Sequence, residues 1–163
     1  MQNQHLKKLL LAALFTALVY VGTCVFIPVG IGNLNLGDGF LLLGVFLLGG
    51  PWCVFAASAG AALADLTFGF TTYVPATLVI KALMALVALL IRNLPALRHR
   101  RILRNLVAGI AAETVMALGY FLWEGLVLLD TPAAALPGIP FNLLQGAFAI
   151  LLSLPAAGRL EKE

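Results

Sequence analysis

The stretch from Asn35 to Lys81, NLGDGFLLLGVFLLGGPWCVFAASAGAALADLTFGFTTYVPATLVIK, sets Asp38, Asp65 and Lys81 into sequence that otherwise has the character of lipid-facing helix. A charge in hydrocarbon costs about 2.5 to 3.5 kcal/mol on insertion scales, so each of these side chains needs a partner, a wet cavity or a place at the membrane surface. The rest of the chain reads as a wall around them.

Composition agrees with that reading. Of 163 residues, 62% are hydrophobic and 10% charged, against about 25% charged in soluble domains, so the chain is expected to be an integral membrane protein. Ten Lys and Arg stand against seven Asp and Glu. Five of those ten, Arg92, Arg98, Arg100, Arg101 and Arg104, fall in one short run between apolar segments, which marks membrane orientation and argues against nucleic-acid binding. Cys24 and Cys53 lie in apolar runs with no second Cys or His at ligand spacing, so neither a disulfide framework nor a metal site is expected, and no cofactor is implied. The opening MQNQHLKK and the apolar run after it resemble a signal peptide. No small-x-small cleavage site follows, and Thr23 before Cys24 departs from a lipoprotein-type site, so the segment reads as a retained first helix.

The number of spans turns on the break at Gly49, Gly50 and Pro51. Proline removes a backbone donor there, leaving one interrupted helix or two short ones. Lys7 and Lys8 place the N-terminus on the same cytoplasmic side as the arginine run, so an even number of spans must separate them. Helices over 9–27, 36–48, 52–66 and 73–91 meet that condition. Beyond the cluster, 106–129 and 139–155 return Arg159 and Lys162 to the inside. The expected fold is an all-α integral membrane protein, a single domain over 1–163 with six transmembrane helices and both termini cytoplasmic. Lys81 is then the one basic residue not placed at the inner face.

This topology puts Asn33, Asn35, Asp38, Asp65 and the turn Thr71, Thr72, Tyr73 near the outer face, with Lys81 roughly 12 Å below it by the helical rise. Glu113 falls at a similar depth, so an ion pair with Lys81 is geometrically open. Glu113, Ala117, Tyr120 and Glu124 share one face of helix 5, and Asn142 and Gln145 occupy the outer half of helix 6. The polar groups thus converge toward the exterior while the inner half is almost all apolar. Plainer readings stand beside this one. Asp38 and Asp65 sit where helix ends are expected, Lys81 and Glu113 suit a structural ion pair, Tyr73, Tyr120, Trp52 and Trp123 suit an interfacial belt, and Asn142 and Gln145 suit bridges between helices. Small residues, Ala13 and Ala17 in helix 1 and Ala56 through Ala64 in helix 3, permit close helix contact within the fold or with another membrane protein.

No GxxxxGK[ST] loop occurs, so energy for any transport must come from elsewhere. Two alternatives remain open on residues alone: an intramembrane aspartyl-type hydrolase drawing on Asp38, Asp65 or Glu113, although NLGD lacks the first glycine of GxGD, or a small channel or structural membrane protein.

The ordered motifs KKLLLAALFTAL (Lys7–Leu18), NLGD (Asn35–Asp38), the GGP break, ALAD (Ala62–Asp65), YVPATLVIK (Tyr73–Lys81), EGLVLL (Glu124–Leu129) and IPFNLLQGAF (Ile139–Phe148) resemble the substrate-binding S components of energy-coupling factor (ECF) type vitamin transporters, close to the riboflavin-type group. The resemblance spans nearly the whole chain. It implies a non-enzymatic binding subunit of the cell membrane that captures a vitamin from outside. It also implies a loop after helix 1 that closes the pocket, an AxxxA motif, here Ala13 and Ala17, that docks on a transmembrane coupling subunit, and two cytoplasmic ATPases as further partners. Riboflavin, pyridoxine and the hydroxymethylpyrimidine precursor of thiamine are the substrates such a resemblance leaves open. A pocket of Asn35, Asp38, Tyr73, Lys81, Glu113, Tyr120, Glu124, Asn142 and Gln145 suits a small neutral or zwitterionic heteroaromatic ring better than riboflavin.

Overall fold

The structure, a computed structural model, describes residues 2–29, 32–97 and 99–160. Gly30, Arg98, Lys162 and the side chain of Asn33 therefore lie outside the described residues. The chain runs α1 (Gln2–Cys24), β1 (Phe26–Val29), β2 (Gly32–Asn35), α2 (Gly37–Leu48), α3 (Pro51–Thr67), α4 (Val74–Arg92), α5 (Arg101–Trp123), a short α6 (Pro132–Ala135) and α7 (Ile139–Leu160). A single π-helical turn, Glu124–Leu128, extends α5.

It is an all-α membrane fold with one small addition. Among the described residues four helical stretches are long and apolar enough to cross a bilayer: 4–24, 74–92, 101–128 and 132–159. Against the six crossings expected from charge stand four long apolar helices, since α2 has 12 residues and α3 has 17. At 1.5 Å per residue α2 is only about 18 Å long, well short of a hydrocarbon layer of about 30 Å.

The break between α2 and α3 has a conformational cause. Gly49 and Gly50 take positive φ, +59° and +70°, a region that costs glycine nothing. Pro51 then starts α3 in its first turn, where no amide donor is needed. Arg92 at the end of α4 donates Nη1–H to the Val45 carbonyl at 2.9 Å, so the last turn of α2 ends on a cation.

Residues 26–29 depart from the expected end of helix 1 and open loop. They pair antiparallel with 32–35, Phe26 opposite Asn35 and Val29 opposite Gly32. Val25, Phe26 and Ile27 favour extended chain, and Pro28 ends the helical option. The Leu36 amide bonds the Gly22 carbonyl at 2.9 Å, which folds the hairpin back over the end of α1.

Helix contacts are made by small residues. An added Cβ on Gly60 of α3 would lie 2.6 Å from the Thr16 carbonyl oxygen of α1, and one on Gly119 of α5 would lie 2.8 Å from Ile80 of α4. The fully enclosed core includes Val19, Leu41, Leu42, Val45, Phe46, Met84 and Met116 together with alanines of α3, α4 and α5.

Candidate functional site

The N-terminal end of α4 and the C-terminal end of α5 lie together, opposite the arginine cluster that joins the other ends of the same two helices. Around them a cavity of about 450 Å³ opens, walled by the hairpin, α3, α4, α5 with its π turn, α6 and α7. That volume lies within the usual range for small-molecule sites, about 300 to 1,000 Å³.

Its polar floor is one connected network. Lys81 Nζ donates to Asp38 Oδ1 at 2.5 Å, and Gln145 Nε2 donates to Asp38 Oδ2 at 2.6 Å. Asn35 Nδ2 donates to Gln145 Oε1 at 3.2 Å, and Asn35 Oδ1 accepts the Gly37 amide at 2.9 Å. Side chains of α4, α2, α7 and β2 are thereby tied to one carboxylate. Lys81 also lies 5.3 Å from the centre of the Tyr120 ring, within cation–π range, so its charge is held between a carboxylate and an aromatic face.

Lys81 therefore pairs with Asp38 rather than with Glu113. Asp38, expected in the loop at the outer face, is instead enclosed by the bundle, 2% exposed, in the first turn of α2. Helix length explains both outcomes. Counted from the arginine end, Asp38 stands ten residues above Leu48 and Lys81 eleven above Arg92, so both rise roughly 15 to 17 Å and meet at one depth. The short α2 starts inside the bundle, below the hairpin, and its first turn favours a carboxylate. Glu113 is 6% exposed, and neither of its carboxyl oxygens has a hydrogen-bond partner among the described residues. It packs against the backbone of Gly146, where an added Cβ would come within 2.8 Å of the Glu113 Cβ.

Of the residues singled out from sequence, Asn35, Tyr73, Lys81, Tyr120, Glu124, Asn142 and Gln145 line the cavity, whereas Asp38 and Glu113 do not. Asp38 acts from behind Lys81. Tyr120 OH and Thr77 Oγ1 share a hydrogen bond at 3.0 Å, and the Tyr73 hydroxyl donates to Glu124 Oε1 at 3.4 Å. Burial and the neighbouring Glu124 carboxylate push the Tyr73 phenol up to about 12.

Sequence reasoning did not place Thr77, Asp65 or the phenylalanines in the wall. Phe26 of β1 meets Phe68 edge-on, ring centres 5.4 Å apart, and Phe68 lies 6.5 Å from Phe70. All three line the cavity and gather aromatic surface at its mouth. In an apolar sequence such residues look like any lipid-facing position. The one available signal is Gly69 between Phe68 and Phe70, whose positive φ of +77° marks a turn and not a continuing helix.

Ala13 and Ala17 are exposed on the outer face of α1, and Ala12, Phe15 and Val19 face inward. The pair borders a second, apolar groove of about 530 Å³ together with Thr16, Tyr20, Phe55, Leu63 and Thr67.

The family model described as ECF-type riboflavin transporter, S component, matches residues 3–162. A relative from Lactococcus lactis subsp. cremoris (strain MG1363), named thiamine precursor transporter HmpT, is 31% identical over 166 residues, covering 99% of this chain and 92% of its own. A solved structure titled "Structure and mechanism of the S component of a bacterial ECF transporter" superposes with a TM-score of 0.78 at 21% identity, covering 99% of this chain and 98% of its own, which shows a shared fold.

Proposed function

From the premise that this chain belongs to the S-component family of ECF-type transporters, and is therefore a transport subunit and not an enzyme, we propose that it captures a B-vitamin or vitamin precursor with a heteroaromatic ring from outside the cell. In this reading the chain crosses the plasma membrane six times with both termini in the cytoplasm. The cavity opens outward, and Asn35, Tyr73, Lys81, Tyr120, Glu124, Asn142 and Gln145 contact the substrate. Asp38 is a positioning residue, because it fixes Lys81 and Gln145 without facing the cavity.

The observation that carries this reading is the cavity floor, where one buried carboxylate orders a lysine and two amides from separate elements beside an aromatic wall. A floor built in this way is ordered before any ligand arrives, so binding does not have to meet the entropy of ordering it. Tyr73 and Tyr120, with ring centres 6.4 Å apart, offer faces against which a flat ring can pack. Membership implies that the subunit works with the partner subunits of an ECF module. We assign to that module a transmembrane coupling subunit and two ATPases, with Ala13 and Ala17 on the docking surface.

A thermal-shift screen of the detergent-solubilised chain against B-vitamins and their precursors tests the binding half. We expect stabilisation by one compound with nanomolar to micromolar affinity and no ATPase activity from the chain alone. A panel without any stabilising compound overturns the reading. The coupling half is tested by Ala17→Trp, which is expected to abolish uptake in cells supplied with the module while leaving binding intact, since Ala17 faces outward.

A further inference from the structure

Both ends of α2 are bonded to cations of α4. At the cavity end Lys81 donates to Asp38 in the first turn of α2, and at the arginine end Arg92 donates to the Val45 carbonyl in its last turn. The first turn is tied to the cavity by two further bonds. Gln145 Nε2 reaches Asp38 Oδ2, and Asn35 Oδ1 accepts the Gly37 amide. Asn35, Lys81 and Gln145 all line the cavity. At the far end the Val45 carbonyl also accepts the Gly49 amide at 3.3 Å, and the next residue, Gly50, offers its carbonyl to the Cys53 thiol at 3.0 Å. One helix and its end bonds thus join the cavity floor to the turn 49–53 on the opposite face, roughly 15 Å away by the helical rise.

Between those anchors α2 has little helical tendency of its own. It is 12 residues long and contains Gly37, Gly39 and Gly44, and glycine disfavours a helix more than any residue but proline. Its shape comes from close packing instead. An added Cβ on Gly39 would lie 2.4 Å from Leu152 of α7, and one on Gly44 would lie 3.1 Å from Phe15 of α1. An element packed this tightly shifts as one body, because a filled interior does not deform residue by residue. The turn below it is the place where such a shift is absorbed. Gly49 and Gly50 have positive φ, and an added Cβ on Gly50 would meet nothing within 4 Å.

We propose that α2 is a relay: a change in what Asn35, Lys81 and Gln145 hold in the cavity shifts α2 as a unit and alters the packing of the turn 49–53 at the arginine face. The relay itself stands on these contacts. Its use, to carry the loaded state of the cavity to the opposite face, rests on the vitamin-binding reading above and goes beyond it.

Alkylation of Cys53 by N-ethylmaleimide reads the turn in the full chain in detergent, with Cys24→Ala leaving one thiol. Cys53 is buried, so its rate reports local opening of the start of α3. Lys81→Met together with Asp38→Leu cuts the cavity-end anchor without stranding a charge, and is expected to speed alkylation about fivefold or more, the lower end of coupling between distant sites. Gly125→Ala presses on the Pro132 backbone, away from α2, and should leave the rate within about twofold. Melting temperatures show whether each variant is folded, and if the double variant is not, Asn35→Ala, which removes the tie to the Gly37 amide, decides. Riboflavin, pyridoxine and the hydroxymethylpyrimidine precursor of thiamine serve as cargo probes. Any of them that raises the melting temperature is expected to slow Cys53 by a similar factor, well below the unfolding range, by fixing the three cavity side chains. A Cys53 rate that ignores the cut anchor, or that rises equally in Gly125→Ala, overturns the relay and leaves the vitamin-binding reading standing. Failure of every vitamin and precursor to bind overturns that reading and the cargo role, while the variants still decide whether α2 couples the two faces.

Discussion

At the arginine end of the bundle, α4 and α5 meet through Ala85, Ala88, Ala108 and Ala112, all fully enclosed. At the other end the same two helices carry Thr77, Lys81, Tyr120 and Glu124 and stand around a cavity of about 450 Å³. Side-chain size accounts for the difference. Alanines let backbones approach until no space remains, whereas long polar side chains hold the helices apart and need hydrogen-bond partners. One end contributes packing and the other recognition. In membranes the first needs small residues, because hydrocarbon surrounding the bundle supplies no hydrophobic force between helices.

The largest expected break of this contrast is Lys81→Met. It leaves the Asp38 carboxylate buried with Gln145 as its side-chain donor among the described residues, and should destabilise the detergent-solubilised protein by about 3 to 5 kcal/mol, read as thermal unfolding. Adding Asp38→Leu removes the stranded charge and should restore most of that loss while binding stays weak. A Lys81→Met protein as stable as wild type would mean that the ion pair does not organise the cavity end.

A matched pair of enlargements compares the two ends directly. Ala88→Leu adds volume where none is free and should cost about 1 to 3 kcal/mol. Ala134→Leu adds the same volume on the exposed cavity wall and should alter stability by less than about 0.5 kcal/mol, with ligand affinity lowered instead. Equal losses of stability at both positions would erase the distinction between the ends.

Among the buried ionisable side chains the smallest effect is expected at Glu113→Gln. The carboxyl accepts no hydrogen bond among the described residues, so the near-isosteric amide removes none, and stability should stay within about 1 kcal/mol. A larger loss would place a partner on Glu113 and make it part of the floor.

Much of the helix plan was legible because hydrophobic runs, prolines and basic clusters are local signals. The GGP break is visible in three letters, and its glycines do take positive φ. Seven of the nine residues picked for the pocket line the cavity, since polar residues in apolar helices are conspicuous. The partner of Lys81 was not legible. By depth Glu113 alone was within reach, Asp38 being placed at the outer face, and it is the short α2 starting inside the bundle that brings Asp38 to the lysine. The hairpin and the Phe26, Phe68 and Phe70 cluster were hidden as well, because their side chains resemble lipid-facing residues until the chain reverses.

What the amino-acid order determined unaided is a membrane chain of apolar helices, the break at Gly49, Gly50 and Pro51, and the short roster of polar groups that hydrocarbon would not tolerate alone. Tertiary structure alone decided which of those groups meet. Pairing across helices depends on relative depth, rotation and loop closure, and these arise from packing between segments far apart in the chain. Periodicity places a residue on a face of its own helix, but it does not specify the neighbour that face will find.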